Sequence, residues 1–505
     1  MDGVERSDAA TEQSDDTVVV IGSGPCGALA AHQLSAAGQR VTVLDSGLRA
    51  PRGIVVKAAG HTLFRWVDRA MWSSGRQASA TDPATEWHSS LALGGLTNYW
   101  TGTVPRFAPD DFTDGGRLDA RYEWPIGYTD LEPYYRVAEQ MMTPTAGEPI
   151  PGVPVGESTY QARLGTDWAE FAARANTAGF AVGAAPRAKG RPWMIALRGN
   201  EFDSFHAILA PLVRSGAVQL RRGAHAIRLL HEGGRATAVE YLDRDAGIVR
   251  TLHAKAFVVA AGTLDTTEIL LRSASGELPG GLGSSTGVLG RYLHDHPREW
   301  YPVRLDRPFT ALVDPVYFAR DAHESADPLL ATASTFGLAS WRYRVRALYG
   351  GSAPAIGLHT FGTMVPSPER GVSLVGAHDP ASTASRLHID LVYDQAAVAN
   401  MHHSRERVVQ LFHTCGVAAE LGAFSGLAPG SSVHYGGTAR MHRDPAFGVI
   451  DEWNRVYDAP NVVVADASCF TTGPEKNPTL TAMAIAARAA DRLALDLSGS
   501  PDPSG

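Results

Sequence analysis

Two patterns of apolar residues divide this chain of 505 residues. In the first, apolar residues run without a break. "TVVVI" (17–21), "VTVLD" (41–45), Phe257–Ala260 and the start of "NVVVADAS" (461–468) read as strands buried on both faces, as in a parallel sheet. The first leads through a glycine turn into an Ala-rich helix that Gly38 stops, and then into the second, which completes a βαβ unit. The third leads through a turn at Gly262 into a helix. After the fourth, residues 477–497 read as an apolar helix with Pro478 near its first position, where a missing N–H costs nothing.

In the second pattern, between residues 298 and 430, apolar residues alternate with polar or basic ones: "YPVRLDRP", "LLATASTFGLASWRYRVRAL", "RLHIDLVYD". Alternation predicts half-exposed strands of an antiparallel sheet. Within this region residues 404–422 have helical spacing, and "MHHSRER" (401–407) reads as a solvated helix start. Elsewhere, 48–90 shows no sustained period and is expected to be irregular with a short helix. Residues 91–107 form a glycine-punctuated loop with aromatics. Residues 128–142 suit a helix entered through a polar cap, 143–165 a long connection, and 202–230 a helix followed by strands. No internal repeat is found. The expected fold class is α/β, α+β overall: a Rossmann-like nucleotide-binding domain with an antiparallel-sheet domain inserted between its parts.

Composition adds boundaries. With 44% hydrophobic and 19% charged residues the chain can bury a sizeable core and reads as soluble. A net charge of −8 argues against a nucleic-acid binder or a partner of anionic membranes. Cys26, Cys415 and Cys469 are odd in number and widely spaced, without CxxC. A disulfide framework or zinc site is not expected, and a cytoplasmic location fits. The polar, acidic residues 1–16 do not form a secretory signal, and they and the tail 498–505 read as disordered.

The βαβ unit carries the first chemistry. Gly22, Gly24 and Gly27 stand at GxGxxG spacing. Gly22 permits a tight turn, Gly24 lets the backbone approach a pyrophosphate, and Gly27 lets helix and strand pack closely. The helix N-terminus offers N–H groups and a positive dipole end to phosphates. Asp45 ends the second strand, where an acid can accept from ribose hydroxyls. Cys26, inside the turn, reads as a packing residue.

Five segments in order, "GSGPCG", "GGLTNYW", "VVAAGTLDTTEILLRS", "LGRYLHDHP" and "HYGGTARMHRDPAFGVIDEWNRVYDAPNVVVADASCF…NPTLTAMAIA", resemble the glucose–methanol–choline (GMC) oxidoreductase family, which binds FAD. The resemblance is nearest to its pyranose-oxidase and glycoside-oxidase branch. It implies an FAD-binding domain in three parts (17–142, 201–297, 431–497), a connection at 143–200 contributing to the substrate domain, and a substrate-binding domain at 298–430. It implies oxidation of a secondary alcohol of a sugar, glycoside or sugar-containing natural product to a ketone, with oxygen or a soluble acceptor reoxidising the flavin.

Residue by residue, the resemblance makes His434 and Asn477 the catalytic pair. A neutral histidine suits proton abstraction near pH 7, asparagine can hold the hydroxyl, and flavin N5 takes the hydride. Gly95, Thr97 and Asn98 fall in the loop that wraps the isoalloxazine, and Ala261, Gly262, Pro478 and Thr479 in the other cofactor segments. Asp466 contacts the pyrophosphate region or caps the adjacent turn. Pyranose oxidase carries a flavin-linking histidine where this chain has Tyr99, so FAD is expected to be non-covalent. Gly436 and Gly437 are expected to let the backbone pass close to the flavin. Where the family has glycine after "RM", this chain has His442, which could be a surface change or could narrow the pocket or contact a substrate oxygen. Tyr393 and Gln395 are placed in the substrate pocket by position alone. "HDHP" (294–297) reads as a structural loop rather than a zinc site. The alternatives are a GMC enzyme on a non-sugar alcohol, a lyase or isomerase with a structural flavin, a non-catalytic nucleotide binder and an NAD(P)-dependent dehydrogenase.

Overall fold

The strand Thr17–Ile21 is buried along its whole length, and Val18, Val19 and Val20 expose nothing. Each such side chain contributes about 1.5–3 kcal/mol relative to an exposed one. Full burial on both faces requires neighbours on both edges and layers above and below, and a six-stranded sheet supplies them. Its order is Arg455–Val456, Ala459–Val464, Ala256–Val259, Thr17–Ile21, Arg40–Asp45 and Gln219–Arg222. All neighbours are parallel except the first pair, an antiparallel hairpin. The computed structural model describes residues 11–12, 16–47, 79–81, 87–98, 100–157, 160–162, 164–189, 202–309, 316–318, 327–338, 353–376, 386–423 and 425–499.

Two Ala-rich helices, Pro25–Ala36 and Thr479–Ser498, cover this sheet within the largest core. Small side chains allow close approach, and Gln33 Nε2 donates to Asp491 Oδ1 between them at 2.9 Å. The helix Tyr128–Met142 joins them, with Tyr135 Oη and Thr481 Oγ1 2.8 Å apart.

The alternating region forms an antiparallel sheet in the order Ala419–Leu421, Arg298–Phe309, Ala353–Gly362, Thr332–Leu338, Val316–Phe318 and Val182–Ala184, with Ser425–Gly426 pairing Arg298–Phe309 as a seventh strand. One face packs against helices Thr166–Thr177 and Gln395–Thr414 through an aromatic core that includes Trp168, Phe171, Phe336 and Phe412. Thus residues before 298 supply both a strand and a covering helix to this sheet.

A five-stranded sheet, Gly436–Thr438, Arg291–His294, Gly371–Val375, Arg386–Asp390 and Ser79–Ala80, lies between the two in sequence origin. Its register, Arg291 opposite Thr438 and His294 opposite Gly436, decides the site geometry.

Three expectations change. Thr11–Glu12 pairs in parallel with Thr251–Leu252, and Asp16 ion-pairs with Arg40 and Lys255, so the stretch 1–16 is not wholly without structure. The helix expected over 404–422 spans Gln395–Thr414. Asp394 caps it by accepting from Ala397 N at 2.7 Å, and residues 419–421 leave it as a strand. "MHHSRER" is therefore mid-helix, with Met401 and Ser404 buried and Arg405 bound bidentately to the fully buried Glu299. Pro478 caps the last helix, which begins at Thr479. Most of 48–90 and Tyr99 lie outside the described residues. Among the described residues, no helix is long and apolar enough to cross a membrane.

Candidate active site

The segment before the Gly436–Thr438 strand holds His434. Its ring lies between three groups: Asn477 Nδ2 is 3.2 Å from Nε2, His296 Nδ1 is 3.0 Å from Nδ1, and the Phe361 ring centroid is 4.8 Å from the imidazole centroid. Asn477 comes from the turn before the last helix, His296 from just beyond the Arg291–His294 strand, and Phe361 from the antiparallel sheet. Three parts of the fold meet on one imidazole.

An asparagine NH2 can only donate, so His434 Nε2 accepts and its proton sits on Nδ1. The basic nitrogen thus faces Asn477. Burial, and then the charges of His296 and Arg298, hold His434 well below the ordinary histidine range, so the ring is neutral at pH 7. Burial also lowers His296 to about 4, against Glu475 and the Pro474 carbonyl, which favour its charged form.

The loop that presents His434 is fixed by Asp295. Its Oδ2 accepts from Gly430 N at 2.9 Å and Tyr393 Oη at 3.1 Å, and its Oδ1 from His434 N at 3.1 Å and Ser432 Oγ. Val433, immediately before His434, has φ 61°, a conformation that costs a β-branched residue about 1–3 kcal/mol. Four donors on one buried carboxylate hold that strain in place.

Gly436 and Gly437 answer to the protein on their Cβ side. A Cβ on Gly436 would lie 2.3 Å from His294 Nε2, and one on Gly437 2.2 Å from the Tyr292 carbonyl oxygen. His294 is buried, with its Nδ1 on the Tyr292 carbonyl at 3.2 Å and its pKa lowered to about 3 by burial. The "HDHP" loop is thus part of the site: His294 packs under the glycine pair, Asp295 anchors the loop and His296 touches His434. Among the described residues, no group of three or more His, Cys, Asp or Glu could hold a metal ion.

The nucleotide-binding segments fit a dinucleotide. Gly22 (φ +106°) and Gly27 are enforced by packing: a Cβ would stand 2.4 Å from Ala260 O at the first and 2.1 Å from Gly22 O at the second. Gly24 differs. No atom lies within 4 Å of where its Cβ would be, and no side chain caps the helix it opens. That is the cradle the GxGxxG pattern predicts for a phosphate. Asp45 accepts from Ser23 N and Gly47 N, each at 2.7 Å, at the end of its strand. Gly95, Thr97 and Asn98 form one turn docked on the same glycine loop. Gly94 N donates to Ser23 Oγ at 2.9 Å, Thr97 Oγ1 to Gly94 O at 2.6 Å, and Asn98 Nδ2 to Leu93 O at 3.0 Å.

On the second approach, Ala261 N donates to Thr266 Oγ1 at 3.1 Å, and Gly262 is exposed with open space at its Cβ position. Asp466 accepts from Gly262 N at 2.9 Å, Thr266 Oγ1 at 2.5 Å and Ser468 N at 2.9 Å, which ties the two turns together. Its carboxyl acts as a cap and cross-link. Pro478 and Thr479 open the last helix directly after Asn477. Cys26 is buried, its thiol pushed well up by burial, as a packing residue would be.

The three residues expected to bind substrate have other surroundings. Tyr393 is buried and donates to Asp295 and to the His296 carbonyl oxygen, so it supports the loop. Gln395 is exposed at the first position of its helix. His442 is buried, with Nε2 3.0 Å from Ala120 O and Nδ1 accepting from Asp444 N at 2.9 Å. Both its nitrogens serve backbone groups, and it shares no partner with His434. The sequence pattern missed Asp295, His296 and Phe361. The density of titratable residues in "HDHP" was the available signal.

Family models described as GMC oxidoreductase match residues 125–298 and 372–486. The chain is 28% identical to paromamine 6′-oxidase of Streptomyces fradiae, over 98% of this chain and 95% of that protein. It is 28% identical to 2-methyl-1,2-propanediol dehydrogenase of Mycolicibacterium austroafricanum, over 97% and 98%. The crystal structure of pyridoxine 4-oxidase from Mesorbium loti superposes with a TM-score of 0.68 at 18% identity, covering 95% of this chain and 99% of that one, which shows a shared fold. The family is FAD-dependent in general. With the glycine cradle, the paired approach segments and the C-terminal block all in place, the chain belongs to the GMC oxidoreductase family, whose members act on CH–OH groups.

Proposed function

We propose that this protein oxidises a secondary hydroxyl of a sugar, glycoside or sugar-containing natural product to the ketone, with His434 as the base and a non-covalently bound FAD. The observation that carries the reading is the His434–Asn477 pair: a half-buried, neutral imidazole whose basic nitrogen stands 3.2 Å from a donor amide. When bound, the flavin supplies the acceptor for the hydride leaving carbon. The protein's own part is to bind, orient and take the proton. Asn477 donates to the substrate oxygen and supports its developing negative charge, and His434 Nε2 removes the O–H proton. The Phe361 ring packs against the imidazole in a tilted contact. Similarity to an aminoglycoside oxidase supports the sugar-like substrate class. The three cysteines are free and buried, which fits a reducing compartment.

The test is an anaerobic screen of the yellow holoprotein against sugars, glycosides, aminocyclitols and simple diols, followed by air exposure. Bleaching by a sugar-like alcohol with release of a ketone supports the reading. Bleaching only by simple alcohols, or turnover without bleaching, would overturn it. Release of flavin on acid precipitation checks that FAD is not covalently held.

A further inference from the structure

The Nδ1–Nδ1 contact between His434 and His296 has a defined direction. Asn477 makes His434 Nε2 an acceptor, so His434 Nδ1 carries hydrogen and His296 Nδ1 must accept it at 3.0 Å. The hydrogen of His296 then lies on Nε2, and the Pro474 backbone favours the charged form of that ring. Three side chains stand in one donor–acceptor chain: Asn477, His434 and His296.

We propose that His296 is a relay residue, which takes a proton from His434 Nδ1 as His434 Nε2 takes the proton of the substrate hydroxyl. The inference rests on the reading of His434 as the base. The balance is simple. The O–H bond breaks and a proton binds His434 Nε2. The Nδ1–H bond of His434 breaks and one forms at His296 Nδ1, leaving His434 neutral and His296 an imidazolium. The carbon loses hydride to the family's flavin and becomes a carbonyl.

The surroundings favour charge on His296 over His434. Arg298 and His296 oppose a proton on His434. His296 instead lies within Coulombic reach of Glu475, part of a buried cluster with Asp111 and Lys476. Two carboxylates and one ammonium leave that cluster one negative charge when all are ionised. Asp295 holds both histidine segments through His434 N and Tyr393. The relay thus moves positive charge off the ring that Arg298 disfavours and onto the ring that Glu475 favours.

The experiment is single-turnover anaerobic flavin reduction in H2O–D2O mixtures, on wild type, H296N and H434A holoproteins. Asparagine at 296 can still accept from His434 Nδ1 but cannot hold the proton. The wild type should give a bowed proton inventory, from two protons moving together. H296N should give a straight one, with its limiting rate lower by about ten- to hundredfold and substrate dissociation constant unchanged. A straight wild-type inventory, or an H296N rate within about twofold of wild type, overturns the relay. The first needs no variant, so a folding defect in H296N does not blunt the test. H434A separates the two readings: normal reduction there removes the base itself, whereas an inactive H434A beside a normal H296N removes only the relay.

Discussion

Asp295→Asn replaces one acceptor oxygen with an NH2 at nearly constant size. The native carboxylate meets two donors on each edge. On the Oδ2 edge, Tyr393 can turn wholly to the His296 carbonyl at 3.1 Å, but the Gly430 N–H cannot turn. On the Oδ1 edge, His434 N–H retains Ser432 Oγ at 3.1 Å. The amide therefore settles with its NH2 on the Oδ1 edge. That choice loses a charge-assisted bond from Ser432 and sets two donors against each other. One buried donor without its acceptor costs about 1–3 kcal/mol, and loss of charge assistance adds about 1 kcal/mol. The strained φ of Val433 then has less to hold it, so the loop can relax and carry His434 off line. A displacement of about 1 Å can cost about a hundredfold in rate. D295N holoprotein should unfold about 2–4 kcal/mol more easily in urea and reduce its flavin about ten- to hundredfold more slowly. A variant with wild-type unfolding and wild-type reduction would show that the carboxylate does not anchor the loop.

Other outcomes follow from the same geometry. Gly27→Ala drives a Cβ to 2.1 Å from Gly22 O and should abolish folding or flavin retention, whereas Gly24→Ala has open space and should fold normally while losing flavin, as equilibrium dialysis would show. Stability should fall on acidification. His296 drops from an unfolded value of about 6.5 to about 4, so its contribution is complete above pH 6.5, declines as pH falls and is exhausted near pH 4, by about 3 kcal/mol in all. Melts of wild type and H296N across that window check this, the variant showing the shallower slope. His442→Ala should leave substrate affinity unchanged in a binding titration and cost about 1–3 kcal/mol in stability, because Ala120 O and Asp444 N lose their partner.

The buried strands and GxGxxG turn were legible because each signal is local: an unbroken β-branched run specifies a two-sided burial, and of the three glycines two meet close approaches while Gly24 leaves open space. His434 and Asn477 were legible through their flanking segments. Asp295 and His296 were not, because what gives them work is register. The pairing of His294 with Gly436 brings "HDHP" beside "VHYGG" across 138 residues of sequence between His296 and His434. The same register sets the Cβ sides of the glycine pair against His294 and the Tyr292 carbonyl. Phe361 was hidden because strand alternation says which face a residue takes but not what that face meets. The helix Gln395–Thr414 was placed nine residues late because Asp394 was read as part of a strand rather than as its N-cap.

The most direct measurement is the anaerobic reduction rate of His434→Ala against wild type, with the alcohol that bleaches the wild-type flavin. The account predicts that the variant keeps its flavin and its affinity for the alcohol, yet is reduced slower by about a hundredfold or more. Reduction at the wild-type rate in a flavin-loaded variant would contradict it.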